Sequence, residues 1–364
     1  MFLALRDLLV SKSKYFLVIL LISLVALMST LLSGLSSGLV DDGISGLRDL
    51  PMSHLVFEQG AQESFSRSVL HDNEFKSYEK FAKENDVQIS KLGVSFFNAK
   101  TDKGETINIA IFGVPSDSFL APDKRARDAL KDDGAIVLSA ESKDSKAKVG
   151  DDVTIVGPDL KLKVAGYTYT GSYGHVPIAF TSLNEWQTLQ YGEKAEGRFS
   201  AIAVKSPSGI DFEKIDKETG VETITKSQAY NGSPGYTAET STMLLIRSFL
   251  LVISSLIVGS FFTVWTIQRI RQIGLLKALG ASNFYVIKDS VGQLLVILIA
   301  GTAIGLSVGL LLGMLVGNNV PFSIVMGNVL LSNVALIVLG LLGSAIAFKR
   351  IVKIEPVIAM GSGE

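Results

Sequence analysis

Arg269–Ser282 reads RIRQIGLLKALGAS, and this stretch decides how the rest of the 364-residue chain is to be folded. Ile270, Ile273, Leu275, Leu276 and Leu279 would give a helix a broad apolar face, while Arg269, Arg271 and Lys277 supply cations. A basic amphipathic helix of this kind lies on a membrane surface rather than crossing it. Between two long apolar runs, it is also suited to dock into a groove on a cytoplasmic partner.

Working outward, residues 240–268 are apolar except for Arg247 and predict a membrane span running into the surface helix, 269–283. On the other side, residues 290–348 contain no Asp, Glu, Lys or Arg, long enough for two spans, 285–317 and 328–348. Gly317, Asn318, Asn319 and Pro321 mark the hairpin between them. Gly301, Gly305, Gly309, Gly313 and Gly317 recur every four residues, predicting a flat stripe for close helix packing. At the start of the chain, Leu3, Leu5, Leu8 and Leu9 alternate with Arg6, Lys12 and Lys14, an interfacial helix over 1–14. The uncharged run 15–40 exceeds a signal-peptide core and predicts the first span, with Gly34 and Gly38 four apart near its outer end. Residues 349–364 form a cytoplasmic tail. Cations before span one, after span two (Arg269, Arg271, Lys277) and after span four (Lys349, Arg350, Lys353) all fall inside when both termini are cytoplasmic.

Residues 41–238 are the only polar stretch large enough for a folded domain, and this orientation puts them outside. Short apolar runs predict strands over 54–58, 87–98, 107–113, 135–139, 153–156, 160–169, 177–181 and 200–205, and helices over 73–85, 182–191 and 211–219. The expected fold is therefore a membrane protein of four transmembrane α-helices, with a large extracytoplasmic α+β domain between spans one and two.

Composition fits that segregation. The chain is 48% hydrophobic yet 19% charged, with a net charge of −1 and no basic aromatic patch, which argues against nucleic-acid binding. It has no cysteine, which removes thiol nucleophiles, Cys-zinc sites and covalent haem attachment. No P-loop, nucleophile elbow or H-E-x-x-H occurs, and His54, His71 and His175 are scattered. No catalytic residue, metal site or intrinsic cofactor is expected.

QIGLLKALGAS resembles the loop between the second and third spans of MacB/FtsX-type permeases of ABC transporters, which engages a separate ATPase subunit. The end, IVKIEPVIAMGSGE, resembles the tail of many such permeases, and KVGDDVTIVGPDLKLKVAGY resembles their β-rich external domain. IVGSFFTVWTIQRIRQIGLLKALGA, with the Gly-rich end, is most similar to the haem-exporting, HrtB-type permeases of Gram-positive bacteria. The resemblance implies a plasma-membrane efflux subunit without its own ATPase site. It also implies two copies of the chain acting with two ATPases that bind ATP and Mg, and motion passed to the external domain rather than a through-channel. Export of another amphipathic molecule or a lipoprotein, or FtsX-like signalling to a cell-wall hydrolase, are the alternatives.

On that resemblance, Arg271, Leu275, Leu276, Lys277 and Leu279 are the expected ATPase contacts. Haem, as transported substrate, needs an apolar slot, an axial ligand and a cation for its propionates. The segments flanking the domain offer His54, Glu58, Tyr230, Tyr236, Met243 and Arg247, with Tyr173 and His175 on a turn expected to close over the site.

Overall fold

The structure is a computed structural model that describes residues 12–140, 142, 147–192, 195, 197–315 and 320–345. Residues 1–11 of the expected interfacial helix, Gly317 to Asn319 of the hairpin and the tail 349–364 lie outside the described residues. The chain divides into two units, one of residues 1–38 and 240–364, the other of 39–239.

In the first unit four helices are long and apolar enough to cross a membrane: α1 (Lys12–Arg48), α7 (Tyr236–Gln268), α9 (Asn283–Leu315) and α10 (Met326–Gly343). α1 continues eight residues past the apolar run because Ile44 and Leu47 keep the helical spacing and are buried, while Arg48 pairs with Asp41. The glycine stripe of α9 packs against α1: a Cβ at Gly301 would meet Ile22, one at Gly305 would meet Ser23 O and Ala26, and one at Gly309 would meet Thr30. Gly34 and Gly38 admit Phe322 and Pro321 against α1. Between α7 and α10, Gly259 and Gly343 approach backbone to backbone. Polar side chains add to this packing, with Asn333 Nδ2 donating to Thr30 Oγ1 at 3.2 Å and Ser255 Oγ to Leu339 O at 2.8 Å.

The second unit is a ten-stranded sheet with short helices. Its strands are β1 (His54–Glu58), β2 (Gln88–Thr101), β3 (Thr106–Val114), β4 (Ala135–Ser139), β5 (Asp152–Ile155), β6 (Leu160–Thr168), β7 (Ser172–Tyr173), β8 (Val176–Ser182), β9 (Ala201–Lys205) and β10 (Val221–Thr225). The order is β10-β1-β9-β2-β3-β8-β4-β6-β5, with β7 on β8. The far half of β2 also pairs with β5, Ala99 opposite Ile155, so the path from β2 through β3, β8, β4, β6 and β5 closes on itself and leaves that part of the sheet without free edges. Helices α2 (Asp72–Glu84), α3 (Lys124–Ala129), α4 (Leu183–Tyr191), α5 (Glu213–Thr219) and α6 (Lys226–Ala229) complete the unit.

Alternation along the strands sends side chains to two cores. Val56 joins Tyr78, Phe199 and Phe212 on one side, whereas Leu55 and Phe57 join Phe112, Tyr173 and Phe180 on the other. Strand β10 was not among the expected strands, because the two buried apolar residues of VETIT, Val221 and Ile224, are three apart and enter opposite cores, so no alternation marks it.

Candidate functional site

The connection between α7 and α9 holds the short helix α8 (Ile270–Ala278). It is shorter than the expected 269–283 because Gly280, at φ +94°, turns the chain and its N–H closes on Lys277 O. The expected single apolar face is in fact divided. Ile273 turns inward onto Val286 of α9, whereas Leu275, Leu276 and Leu279 point outward at 53%, 40% and 78% exposure, with Arg271 exposed beside them. Burial of the Lys277 stem lowers its pKa from the ordinary lysine value. The start of the helix is pinned by Arg269, which lies over the Trp265 ring at 4.6 Å and donates to Gln293 Oε1 at 2.8 Å. Gln293 in turn donates to Asp289 Oδ2 at 2.9 Å. A firmly seated helix that presents three bare leucines and a cation can be gripped by another protein.

The eight residues expected around a substrate fall into separate settings. His54 and Glu58 lie on the same sheet face as Val56. His54 packs its ring 5.1 Å from Phe212 and shares Nδ1 with Ser53 and Ser206, and burial lowers its pKa from the ordinary value. Glu58, at the other end of the strand, accepts from Val69 N at 3.1 Å. Tyr230 and Tyr236 belong together, rings 6.1 Å apart, with Tyr230 against the core on the opposite sheet face, where burial raises its phenol pKa. Met243 and Arg247, both half-buried, lie on α7 in the membrane unit.

Tyr173 is not the surface group expected to close over a site. It is 1% exposed, stacked on Phe96 at 5.8 Å and edge-on to Phe65 and Phe112. His175 follows it in a left-handed turn, φ +63°, and is engaged at both ring nitrogens. Nδ1 is 2.9 Å from Asp42 Oδ2, and Nε2 is 2.9 Å from Glu239 Oε1, close enough for an ion pair though not aligned as a hydrogen bond. Gly43 O accepts from Gly174 N at 2.9 Å and Ser233 Oγ at 2.7 Å, so the turn, the end of α1 and the start of α7 are tied at one place. Asp42 and Glu239 carry that tie and went unnoticed in the sequence because they are separated by nearly the whole domain.

Four apolar helices, a β-rich polar domain inserted after the first of them, and a short helix between two spans are the architecture of a membrane protein. Residues 244–356 match the FtsX-like permease C-terminal family. Over 359 residues, 97% of each chain, the protein is 26% identical to a protein of Staphylococcus haemolyticus named by inference as the hemin transport system permease HrtB. It is 22% identical, over 99% of each chain, to an uncharacterized ABC transporter permease of Mycobacterium tuberculosis. The periplasmic region of MacB from Actinobacillus actinomycetemcomitans aligns with 51% of this chain and 94% of its own, at TM-score 0.37 and 10% identity. Residues 244–356 thus carry an FtsX-like permease domain, and over its length the chain is similar to ABC-transporter permeases.

Proposed function

We propose that this chain is the permease subunit of a plasma-membrane efflux pump that exports haem. A separate ATPase drives it by binding ATP and Mg and docking on α8. The observation that carries the reading is the outward row of Leu275, Leu276 and Leu279, apolar side chains that none of the described residues covers. Positive charge flanking the spans supports cytoplasmic termini and an external domain. α7 has 17% of its apolar window buried, against 39% for α1 and α9, which supports a second copy of the chain completing the pump along that helix.

Haem is flat, largely apolar and lipid-soluble, and carries two carboxylates. In this reading it enters from the bilayer against α7, where Arg247 takes a propionate and Met243, Tyr236 or Tyr230 approaches the iron. His54 and Glu58 serve a secondary role from their own sheet face. His175 and Tyr173 act as structure, holding the segments that carry the site. ATP-driven change at α8 then alters the spans and releases substrate outward.

The test is haem titration of the purified permease followed by haem-stimulated ATP hydrolysis with its ATPase. Wild type is expected to give a Soret shift, weakened in Arg247→Ala, Met243→Leu and Tyr230→Phe. A spectrum unchanged by all three overturns the site. Absence of any haem binding, with ATPase docking intact, overturns the substrate and leaves the permease.

A further inference from the structure

Across residues 240–354, which carry the last three spans and α8, the sequence has a single acidic residue, Asp289. It is half-buried near the start of α9. A carboxylate at the base of an apolar span calls for partners, and one of them is an amide. Gln293, one turn further along α9 and 1% exposed, donates Nε2 to Asp289 Oδ2 at 2.9 Å and accepts at Oε1 from Arg269 Nη1 at 2.8 Å.

Arg269 is the elbow of the connection. α7 ends at Gln268 and α8 starts at Ile270, and between them Arg269 leaves helical geometry, at φ −106° and ψ 6°. A hinge of one residue between two rigid helices lets the shorter one swing without moving the longer. The guanidinium ties this hinge down. It lies 4.6 Å over the ring of Trp265 on α7, whose indole meets Tyr15 of α1 edge-on at 6.5 Å. Its Nε donates to Gln272 Oε1 of α8 at 2.9 Å, while Nη1 reaches Gln293 of α9. One side chain thereby touches α7, α8 and α9 and, through one indole, α1.

The amide holds one register. Its oxygen can serve only the cation and its NH₂ only the anion, so Gln293 satisfies both when α8 and α9 stand as they do. Displacing either helix breaks a bond to an ionised group, the stronger class of hydrogen bond, where apolar surroundings offer no replacement.

We propose that Arg269, Gln293 and Asp289 form a brace that converts movement of α8 into movement of α1, α7 and α9, which makes them positioning residues for transport. The inference rests on the reading of α8 as the ATPase dock and divides the labour within that connection. The outward leucines bind, and the inward polar chain transmits.

The chain has no cysteine, so one placed at Ser241, exposed at the end of α7 remote from α8, can carry an environment-sensitive dye. The labelled full-length permease is purified with its ATPase subunit in phospholipid nanodiscs, ATP and Mg are added, and the emission change is read per bound ATPase. Wild type is expected to respond. Gln293→Leu is expected to retain the ATPase and to lower the response at least about tenfold, because it removes two hydrogen bonds to ionised groups. Asp289→Asn keeps the shape and an acceptor, and is expected to lower the response about threefold as a neutral bond replaces a charged one. Reading the response per bound ATPase keeps poorly folded protein out of the comparison. Wild-type protein that captures no ATPase overturns the docking on α8 and the brace with it. Captured ATPase with equal responses in wild type and both variants overturns the brace alone. So does loss of ATPase capture in both variants, which would make the three residues part of the dock.

Discussion

The two units solve burial in opposite ways. In the polar domain large apolar side chains are withdrawn, so that among the described residues only Phe96, Val149 and Val156 remain conspicuously exposed. The membrane unit leaves leucines, isoleucines and valines bare along every span, from Leu17 to Leu342. For water-facing strands the driving force is removal of apolar area, at about 25 cal/mol per Å². Between spans that force is absent because lipid tails are as apolar as leucine, and close shape takes over. Glycines accordingly do different jobs in each: Gly305 lets α1 and α9 touch, while Gly93 makes room for one large indole. An apolar surface is ordinary on the spans and informative on α8, which lies between them.

The sharpest way to break this contrast is at α8. If its leucines are an interface, Leu276→Asp and Leu279→Asp should reduce co-purification of the ATPase by at least about tenfold, since a buried leucine contributes roughly 1.5–3 kcal/mol. Full retention of the ATPase would make α8 a lipid-surface helix, continuous in chemistry with the spans. Next in size, Gly305→Leu should lower the thermal midpoint of the detergent-solubilised protein, overpacking costing roughly 1–3 kcal/mol. Gly292→Leu, also on α9 but with open space beside it, is the control. Equal behaviour of the two variants would show that the stripe is not a packing surface.

Within the domain, Gly93→Val should displace Trp186 and weaken the fold by a comparable or smaller amount, read as loss of near-ultraviolet ellipticity on heating. Gly166→Val, with nothing within reach of a Cβ, should leave that signal unchanged. The smallest effect concerns pH. Burial holds the folded-state pKa of His54 below its ordinary value of about 6.5. As pH falls from about 6.5, the unfolded chain takes up the proton first, so this part of the domain's stability is present above that pH and is lost on the way down through the folded-state pKa. His54→Gln should flatten the thermal midpoint over that window.

Much of the architecture was legible because it rests on local pattern. The absence of charge over 290–348 defines two spans, the four-residue glycine period defines a contact face, and alternation picks out β1, β3 and β9 near their observed ends. What escaped depends on pairing across distance. β10 is a strand because β1 is beside it, Thr225 opposite His54, and five residues of VETIT carry no such instruction alone. The end of α1 was missed because hydropathy stops at residue 40 while Ile44 and Leu47 still keep helical spacing toward a core that hydropathy does not see. Of the candidate site, the leucines of α8 were readable as an amphipathic pattern, though their division from Ile273 was not. His175 attracted notice as a lone histidine, but its partners Asp42 and Glu239 are more than 60 residues away on either side.

The closure of β2 on β5 also bears on how the domain comes to be made. β5 begins about fifty residues after the segment of β2 it must meet, with two other strands and a helix between them. Pairings of such long sequence separation form slowly, since loop entropy is spent before any contact rewards it. Until they form, the end of β2 presents an open strand edge, which is where a half-finished chain joins its neighbours wrongly. Lys100, exposed on that edge opposite Thr154, is a charge well placed to discourage such joining while the ring is still open.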